Sequence, residues 1–436
     1  MFINRKEELQ VLEKEYKKNT SSFSVIYGRR RVGKTALISE YIKNKPHLYL
    51  YATESSLKNQ LQTFTNEIIK IFKLPYKINF NSFEEAFIFI ANQNQKIILV
   101  IDEYQNLAKL DKSFSSMLQK VWDMYLSKSQ IHLILCGSVI SMMYSEVLNY
   151  TAPLYGRRTS NIHLKSIKFK YLPEFLQNVD KLDLMNVYAS FGTIPKYLLM
   201  YDVNKSFIQN LKDNILDKNS FLYSEGYFLL KQEVNDTSNY FSILESISKG
   251  NTKIGAIASS MGVHSSYLPK YLNKLIELDI IQKEIPITET NPLKSKLGRY
   301  KIKDKFLNFW FYYVYKNYNY LELGEVDVVL DEIKKNFNDK FVSFAFEDFV
   351  YEEILYNPQK YLNFIPKKVG RWWNNKEEID LIAFDDENIA FIECKWRNVV
   401  DKESIKNKLI QKSSLIKHNK NSFYLVITKD DYLKLF

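Results

Sequence analysis

The feature that most constrains the fold of this chain is a glycine-bounded loop near its N-terminus, Gly28–Thr35, of the form G-x-x-x-x-G-K-T. The loop follows a short apolar segment, Ser24–Tyr27, and precedes a helical pattern that begins at Ala36. Between a strand and a helix, such a loop turns successive backbone N–H groups and the positive end of the helix dipole toward phosphate. The predicted phosphate-binding residues are Gly28, Arg29, Arg30, Arg31, Val32, Gly33, Lys34 and Thr35.

Two side chains of this loop carry specific chemistry. Lys34 is expected to reach the β- and γ-phosphates of a nucleotide, and the Thr35 hydroxyl is expected to ligate magnesium. The motif therefore predicts ATP and Mg²⁺ as the bound groups. GTP is disfavoured because the nearest equivalent of the guanine-reading N-K-x-D pattern is Thr428–Asp431, which lacks the asparagine.

A second apolar segment, Ile97–Ile101, is typical of a strand that is buried on both faces of a parallel sheet. It ends in Asp102 and Glu103. In this position Asp102 would hold magnesium through water, and Glu103 would orient or deprotonate an attacking water. Two acids after a strand also occur in solvated turns, but the upstream loop favours the catalytic interpretation.

A third apolar segment, Ile131–Cys136, is followed by Ser138, a candidate sensor of the γ-phosphate. Further along, Pro153–Thr159 contains the adjacent arginines Arg157 and Arg158. An arginine beside the nucleotide offsets charge that develops on the γ-phosphate, either within one chain or from a neighbouring subunit. Adjacent arginines are also commonly exposed or salt-bridged, so both interpretations stay open. Action between subunits would require a homo-oligomer.

Six segments occur in an order that points to one family. They are Asn4-Arg5 with Glu8-Leu9, Gly28–Thr35, Leu99–Glu103, Gly137-Ser138, Pro153–Arg158 and Phe191–Leu198. Together they resemble the archaeal-type P-loop ATPase family, a relative of the AAA+ and signal-transduction ATPases. Phe191 replaces the first glycine of the family's Gly-Gly-Ile-Pro-x-Tyr-Leu signature. The resemblance covers essentially the whole chain and implies ATP hydrolysis, a helical lid after the core, and then a winged helix.

The apolar spacing between Tyr240 and Asp279 predicts three helices. Ile280–Pro286 and Tyr300–Ile302 would form the two strands of a wing, joined by a segment that includes the basic stretch Lys294–Arg299. A winged helix either meets DNA or packs other domains together, and both interpretations stay open. The residues predicted on the exposed face of the third helix are Ser266, Tyr267, Lys270 and Lys274.

The C-terminal region predicts a helix over Phe341–Tyr356, which contains Glu347, and then three extended segments. These segments are Lys367–Trp373, Glu378–Phe384 and Ile389–Trp396. A polar turn joins the last two as a hairpin, which can bring Asp380 beside Glu393. Alternation along the strand places Glu393 and Lys395 on the same face. The helix acid Glu347 would then close a polar site.

This layout resembles the PD-(D/E)xK, or restriction-endonuclease-like, nucleases. The resemblance implies that Asp380 and Glu393 hold magnesium against a scissile phosphate, with Glu347 as the auxiliary acid of the helix. Lys395 would orient or polarise the attacking water, or stabilise the pentavalent phosphate. Some members of this fold bind without cutting.

At 436 residues the chain is long enough for roughly three domains of about 150 residues each. The resemblances imply an α/β fold class: a P-loop NTPase core with a parallel sheet, a helical lid, a winged helix-turn-helix, and a C-terminal restriction-endonuclease-like α/β domain. We place these domains, in that order, at residues 1–171, 172–235, 236–305 and 306–436, the last with a helical lead-in.

The formal net charge of +11 suits a nucleic-acid partner, with DNA favoured over RNA, although the lysine content also fits an A+T-rich genome. The two cysteines, Cys136 and Cys394, have no metal-ligand or redox spacing, which argues against disulfides and structural zinc. The charged N-terminus does not resemble a signal peptide, and no apolar run approaches the ~18 residues of a membrane helix. We expect a cytoplasmic protein that does not contact membrane.

The favoured function is an ATP-hydrolysing protein that acts on nucleic acid and carries a magnesium-dependent DNase at its C-terminus. The alternative is an ATP-switched regulator that binds DNA or protein, in which the nuclease-like domain is a docking module that does not cut. A chaperone-like ATPase is disfavoured because it leaves Asp380, Glu393 and Lys395 without a role.

Overall fold

A computed structural model of the protein describes residues 2–234 and 236–435. Within this range the chain divides into two units. The first unit runs to Ile167 and includes Ile194–Lys196, and the second comprises Lys168–Thr193 and the chain from Tyr197 onward. Met1, Asn235 and Phe436, at which predicted domains begin or end, lie outside the described residues.

The first unit is built on a five-stranded sheet in which every neighbouring pair of strands is parallel. Its strands are β1 (Ser22–Tyr27), β2 (His47–Tyr51), β3 (Ile97–Asp102), β4 (Ile131–Gly137) and β5 (Ser160–His163). They are arranged in the order β2-β3-β4-β1-β5. The residues of β1, β3 and β4 are buried throughout, as their continuous apolar sequences predict. The predicted parallel sheet is therefore confirmed.

Helices cover both faces of this sheet. They are α1 (Lys6–Tyr16), α2 (Lys34–Ile42), α3 (Leu57–Ile71), α4 (Phe83–Ala91), α5 (Gln105–Leu110), α6 (Phe114–Met124) and α7 (Ile140–Met143). Successive strand residues point to opposite faces, so Ile26 packs with Leu12 and Ile38 in one core, whereas Val25 packs with Phe64 in another. The sheet thus lies between two separate apolar cores, and the polar residues at the carboxyl ends of its strands stay outside them.

The second unit begins with short helices and continues with a three-helix segment. The helices are α8 (Leu172–Phe175), α9 (Lys181–Ser190), α10 (Pro195–Leu198, which crosses the unit boundary), α11 (Phe207–Leu211), α12 (Phe221–Lys231), α13 (Ser238–Ser248), α14 (Ile254–Met261) and α15 (Pro269–Glu277). An antiparallel hairpin of β6 (Ile281–Glu284) and β7 (Arg299–Ile302) follows. The three helices and two strands expected from the sequence are present, and both strands are only four residues long.

The rest of the second unit contains a four-stranded sheet with flanking helices. Its elements are α16 (Lys305–Phe309), α17 (Tyr318–Glu322), α18 (Val326–Phe337), α19 (Ser343–Tyr356), β8 (Lys368–Trp373), β9 (Glu378–Phe384), β10 (Asn388–Lys395), α20 (Lys402–Ser413), β11 (Asn421–Thr428) and α21 (Lys429–Lys434). The strand order is β11-β10-β9-β8, with β8, β9 and β10 antiparallel and β10 parallel to β11. The helix that was expected over Phe341–Tyr356 is α19, and it starts at Ser343 because Asn338–Val342 forms a π-helical turn before it.

The loop of the β6–β7 hairpin packs on the edge strand β8 of this sheet. Trp373 Nε1 donates to the carbonyl oxygen of Leu297 at 2.9 Å. Arg299 pairs with Glu378 at 3.0 Å and lies over the Trp373 ring, 4.6 Å from its centroid. Arg299 ends the basic stretch Lys294–Arg299, and its guanidinium joins the hairpin to the sheet. The predicted boundary at 305/306 therefore separates elements that pack together.

Among the described residues, no helix combines the length and apolarity that crossing a membrane requires.

Two candidate functional sites

The phosphate loop follows β1, and its two glycines have conformations that a side chain would strain. Gly28 has φ of +151°, and a Cβ there would lie 2.2 Å from the carbonyl oxygen of Leu164. Gly33, which precedes α2, has φ of +96°. Both values belong to the region that glycine adopts without steric cost. The G-x-x-x-x-G spacing is thus explained by the backbone path between β1 and α2.

Lys34, the first residue of α2, is buried, with 6% of its surface exposed. Its Nζ donates to two loop carbonyls, that of Gly28 at 2.7 Å and that of Arg29 at 2.9 Å. Burial lowers the pKa of the Lys34 ammonium. A buried cation that is held only by carbonyl dipoles gains a strong partner when phosphate enters the loop, which is the role expected of this residue.

Thr35 and Asp102 meet at the carboxyl end of the sheet. The Thr35 hydroxyl donates to Asp102 Oδ2 at 3.1 Å, and the Tyr49 hydroxyl donates to the same oxygen at 2.5 Å. The other carboxylate oxygen accepts from the backbone N–H of Glu103 at 2.9 Å. A hydroxyl and a carboxylate are the oxygen donors that Mg²⁺ prefers, so these residues fit the ion that the loop motif implies. Tyr49, on β2, was not anticipated from the sequence.

Glu103 lies beside Ser138, because β4 is inserted between β1 and β3. The Ser138 hydroxyl donates to Glu103 Oε2 at 2.8 Å. Gln105 Nε2 donates to the same carboxylate oxygen, and it lies 3.3 Å from the Ser138 hydroxyl. The structure thus joins the two predicted residues through hydrogen bonds and adds Gln105, which no sequence motif identified.

The two arginines of the Pro153–Thr159 segment have partners in neighbouring parts of the first unit. Arg157 forms a bidentate pair with Asp123, with Nη2–Oδ2 at 2.8 Å and Nε–Oδ1 at 2.9 Å. Arg158 Nη1 donates to the carbonyl oxygen of Val147 at 3.1 Å. Both contacts tie the segment to the unit's own surface, which is the structural role that was left open for adjacent arginines.

In the second unit, Asp380, Glu393 and Lys395 come together at the ends of β9 and β10. Lys395 Nζ lies 2.7 Å from Glu393 Oε2 and 3.5 Å from Asp380 Oδ2. The backbone N–H of Cys394 donates to Asp380 Oδ2 at 2.8 Å, which fixes that carboxylate against β10. The antiparallel register, in which Leu381 faces Ile392, produces this meeting.

Glu347, on α19, faces the same cluster. Burial, followed by the charges of Glu347 and Glu393, raises the pKa of Asp380 to about 7. Glu347 itself pairs with Arg371 of β8, which also lies 2.9 Å from Asp348. The Asp380 carboxyl therefore lies close enough to both glutamates for their charges to oppose its ionisation, and Arg371 compensates the charge of Glu347.

A second lysine, Lys412 of α20, completes the charge balance. Its Nζ lies 2.9 Å from Glu393 Oε1, opposite Lys395. Across residues 2–234 and 236–435, no three acidic, histidine or cysteine side chains converge in a metal-binding arrangement. The oxygen donors suit Mg²⁺, but ammonium and guanidinium groups hold them. The adjoining cleft, of about 530 Å³, is lined by residues that include Glu347, Glu393, Lys395, Arg397, Lys408 and Lys412.

The likeness to known proteins is strong over almost the whole chain. Residues 2–201 match an ATPase domain predominantly from Archaea, and residues 310–407 match a family of archaeal and bacterial proteins of unknown function. An uncharacterized protein of Methanocaldococcus jannaschii is 37% identical over 424 residues, which cover 95% of this chain and 92% of that protein. An uncharacterized ATP-binding protein of the same organism is 53% identical over 45 residues, 10% of this chain and 76% of the relative.

Among solved structures, the Walker-type ATPase of Pyrococcus abyssi shares the fold, with a TM-score of 0.54 and 18% identity. The match covers 71% of this chain and 96% of that structure. These findings confirm the predicted P-loop ATPase, whereas the nuclease-like identity of the C-terminal region stays a prediction. The chain belongs to the archaeal-type family of P-loop ATPases that joins this ATPase domain to a C-terminal region of unknown function.

Proposed function

We propose that the protein uses ATP hydrolysis to act on nucleic acid, DNA rather than RNA, and that its C-terminal carboxylate cluster is a magnesium-dependent DNase. The observation that carries the second part is the meeting of Asp380, Glu393 and Lys395 at adjacent strand ends. The element order α19-β8-β9-β10-α20-β11 also supports the DNase proposal. In this order α19 supplies the helix acid Glu347, and the paired strands β9 and β10 supply Asp380 and Glu393.

In the first unit, Lys34 binds the β- and γ-phosphates, and Thr35 with Asp102 holds magnesium. When bound, magnesium neutralises charge on the phosphate oxygens. Glu103 orients or deprotonates the attacking water, and Ser138 senses the γ-phosphate. The proposed roles rest on the contacts that already join these side chains in pairs, Thr35 to Asp102 and Ser138 to Glu103.

Arg157 and Arg158 are proposed to offset charge on the γ-phosphate, within one chain or across a homo-oligomer. Arg157 would have to leave Asp123 to do so. The pair is partly exposed, with side-chain exposures of 27% and 45%, and an exposed ion pair contributes only about 0.2–1 kcal/mol. Loss of this ion pair alone therefore costs little, but Arg157 Nη1 also donates to the carbonyl oxygens of Pro153 and Tyr155, at 3.2 Å and 3.0 Å, and these contacts would have to break as well.

In the second unit, Asp380 and Glu393 hold magnesium, with Glu347 as the auxiliary acid. The ion would share the negative charge that now keeps these groups apart. Lys395 stays within reach of both strand acids and stabilises the phosphate or polarises the water. Arg371 and Lys412 supply positive charge to Glu347 and Glu393, a charge that a bound ion would supply in their place.

DNA is proposed to contact the exposed side of α15 in the predicted winged helix, residues 236–305. Lys270 Nζ lies over the rings of Tyr267 and Tyr271, 5.1 Å and 4.7 Å from their centroids. A cation on aromatic rings suits both phosphate and base contact. The helices of residues 172–235 form the proposed lid.

The deciding experiment measures cleavage of linear and circular DNA with Mg²⁺ or Mn²⁺, with and without ATP. Asp380→Asn removes one charge at constant shape, and Asp386→Asn is the matched control, because Asp386 is an exposed acid of the same hairpin, 77% exposed. We expect cutting by the wild type and the control and none by Asp380→Asn. Lys34→Ala shows whether cutting needs ATP.

A second candidate function is an ATP-switched regulator whose nuclease-like domain docks without cutting. The observation that favours it is the occupation of both Glu393 oxygens by Lys395 and Lys412, with Glu347 held by Arg371. In that case ATP changes DNA affinity, measured by fluorescence anisotropy, and Asp380→Asn leaves the change intact. Absence of cutting under every condition, with ATP turnover retained, would favour this regulator.

A further inference from the structure

Gln105 is the least expected residue of the nucleotide site. It is the first residue of α5, two positions after Glu103, and only 2% of its surface is exposed. Its Nε2 donates to Glu103 Oε2 and also lies 3.3 Å from the Ser138 hydroxyl. Amide, hydroxyl and carboxylate thus form one closed set of hydrogen bonds at the ends of β3 and β4.

Gln105 packs closely against the backbone at the end of β4. A Cβ on Gly137 would lie 2.8 Å from Gln105 Oε1 and 2.2 Å from the Met143 sulfur, both closer than real side chains pack. Both atoms lie at the ends of flexible side chains, so the missing Cβ of Gly137 allows this close packing without being an absolute requirement for it.

The amide oxygen of Gln105 is buried, and no donor among the described residues reaches it. A buried amide with only its N–H₂ end satisfied is less stable than an apolar side chain of the same size. Its N–H₂ group, by contrast, contacts the proposed water-activating residue. The arrangement favours a functional reason for a glutamine here over a purely structural one.

Two donors contact the same oxygen of the Glu103 carboxylate. Ser138 Oγ at 2.8 Å and Gln105 Nε2 both donate to Oε2. Glu103 has φ of +54°, so its backbone already departs from a strand where the side chain must be aimed. Two donors on Oε2 orient the carboxylate and direct its other oxygen, Oε1, as the acceptor for a proton from water.

We propose that Gln105 is a positioning residue of the ATPase, which acts by fixing the Glu103 carboxylate against Ser138. The inference deepens the proposed function and rests on the proposed role of Glu103. It predicts that the γ-phosphate sensor and the water-activating acid work as one unit, because the glutamine amide contacts both. Loss of the amide lowers the hydrolysis rate and leaves nucleotide binding intact.

The test compares Gln105→Met, which keeps the side-chain length, with Gln105→Glu, which keeps the shape but replaces the donor with an acceptor. We expect both to lower kcat by about 10- to 100-fold, less than the roughly 10²- to 10⁴-fold that the positioned acid–base group itself contributes, because Glu103 is retained. ATP affinity, measured with a fluorescent analogue, should change less than about threefold, since uniform binding is untouched. Gln105→Glu should be at least as impaired as Gln105→Met.

Gln60→Met is the matched control. Gln60 is a buried glutamine of the same unit, 3% exposed, whose Nε2 donates to the carbonyls of Thr53 and Ser55 at 3.0 Å and 2.8 Å. It should keep kcat despite the loss of similar hydrogen bonds. Thermal melting of each variant shows that the fold is retained.

The decisive readout is the effect of Gln105→Met in a Glu103→Gln background, measured by single-turnover hydrolysis of labelled ATP. A residue that acts through Glu103 causes no further loss there, whereas a structural role causes the same loss in both backgrounds. Full turnover by Glu103→Gln would overturn the proposed role of Glu103 together with this inference. If Glu103→Gln is impaired but Gln105→Met keeps its kcat, the inference alone is overturned. The same holds if Gln105→Met loses ATP affinity by as large a factor as it loses kcat.

Discussion

The two candidate sites both contain lysines and carboxylates, but they differ in whether the lysine charge is already paired with a carboxylate. In the first unit, the Lys34 ammonium donates to two backbone carbonyls of the phosphate loop and is placed to bind an anion. In the second, Lys395 and Lys412 are already paired with Glu393. The first site is organised for phosphate before any ligand arrives, whereas the second is balanced internally and has to exchange partners when a cation enters.

The largest expected effect breaks the first site. Lys34→Ala removes the buried cation that donates to the Gly28 and Arg29 carbonyls, and we expect ATP turnover to fall by about 10²- to 10³-fold, as when one preorganised donor to developing charge is lost. The measurement is steady-state phosphate release. Lys43→Ala, an exposed lysine just after the same helix, should keep full activity. Equal losses in both variants would contradict the assigned role.

In the second site, Asp380 should make the free energy of unfolding depend on pH. Burial and the charges of Glu347 and Glu393 raise the pKa of Asp380 to about 7, from an ordinary value of 3.8. The folded state therefore binds the proton more tightly than the unfolded state, and the stability from this group is lost as pH rises toward 7. Asp380→Asn should stabilise the protein at pH 8, by up to about 4 kcal/mol, and hardly at pH 4.

Denaturant unfolding at both pH values measures this difference. Added Mg²⁺ should stabilise the wild type at pH 8 and have less effect on Asp380→Asn. A variant that is equally destabilised at both pH values would show that Asp380 is a simple structural hydrogen-bond acceptor.

Removal of Lys412, the second lysine of the carboxylate cluster, tests whether its charge competes with a divalent cation. Lys412→Met frees Glu393 Oε1, so we expect tighter Mn²⁺ binding, by about tenfold, as when one competing charge interaction of about 1.4 kcal/mol is removed. Calorimetric titration of Mn²⁺ measures it, with Lys420→Met as a control away from the carboxylates, because Lys420 donates to the carbonyls of Asp385 and Asp386. Weaker binding in Lys412→Met would identify Lys412 as a group that supports the ion.

The smallest effect concerns Arg157. Asp123→Asn removes the charged partner of this guanidinium and leaves its contacts to the Pro153 and Tyr155 carbonyls. We expect turnover to rise roughly 1.4- to 5-fold, the factor that corresponds to an exposed ion pair of about 0.2–1 kcal/mol. The gain should vanish when Arg157→Ala is added. A dependence of specific activity on protein concentration would place the arginine in a neighbouring subunit.

Much of the framework follows from local sequence. Continuous apolar runs predict strands buried in a parallel sheet, and Asp102 and Ser138 follow such runs, so their place at one sheet edge is determined by topology. Alternation and a polar turn similarly predict that Asp380 meets Glu393. These inferences succeed because each depends on only a few neighbouring residues.

The charge partners could not be found in this way. Arg371 reaches Glu347 across 24 residues, and Lys412 reaches Glu393 across 19. Such pairs depend on how a helix packs on a sheet, which no local periodicity specifies. Gln105 was missed for a different reason: it lies in the right segment, two residues after Glu103, but its contact with Ser138 appears only when β4 is placed beside β3.

The proposed DNase requires the second unit to bind a divalent cation without help from nucleotide, and titration of Mn²⁺ in the absence of ATP measures that binding. We expect the wild type to bind Mn²⁺ without ATP, Asp380→Asn to lose this binding and Lys34→Ala to keep it. Binding that is absent without ATP, or unchanged in Asp380→Asn, would rule out the metal site and leave the carboxylate cluster as a docking element.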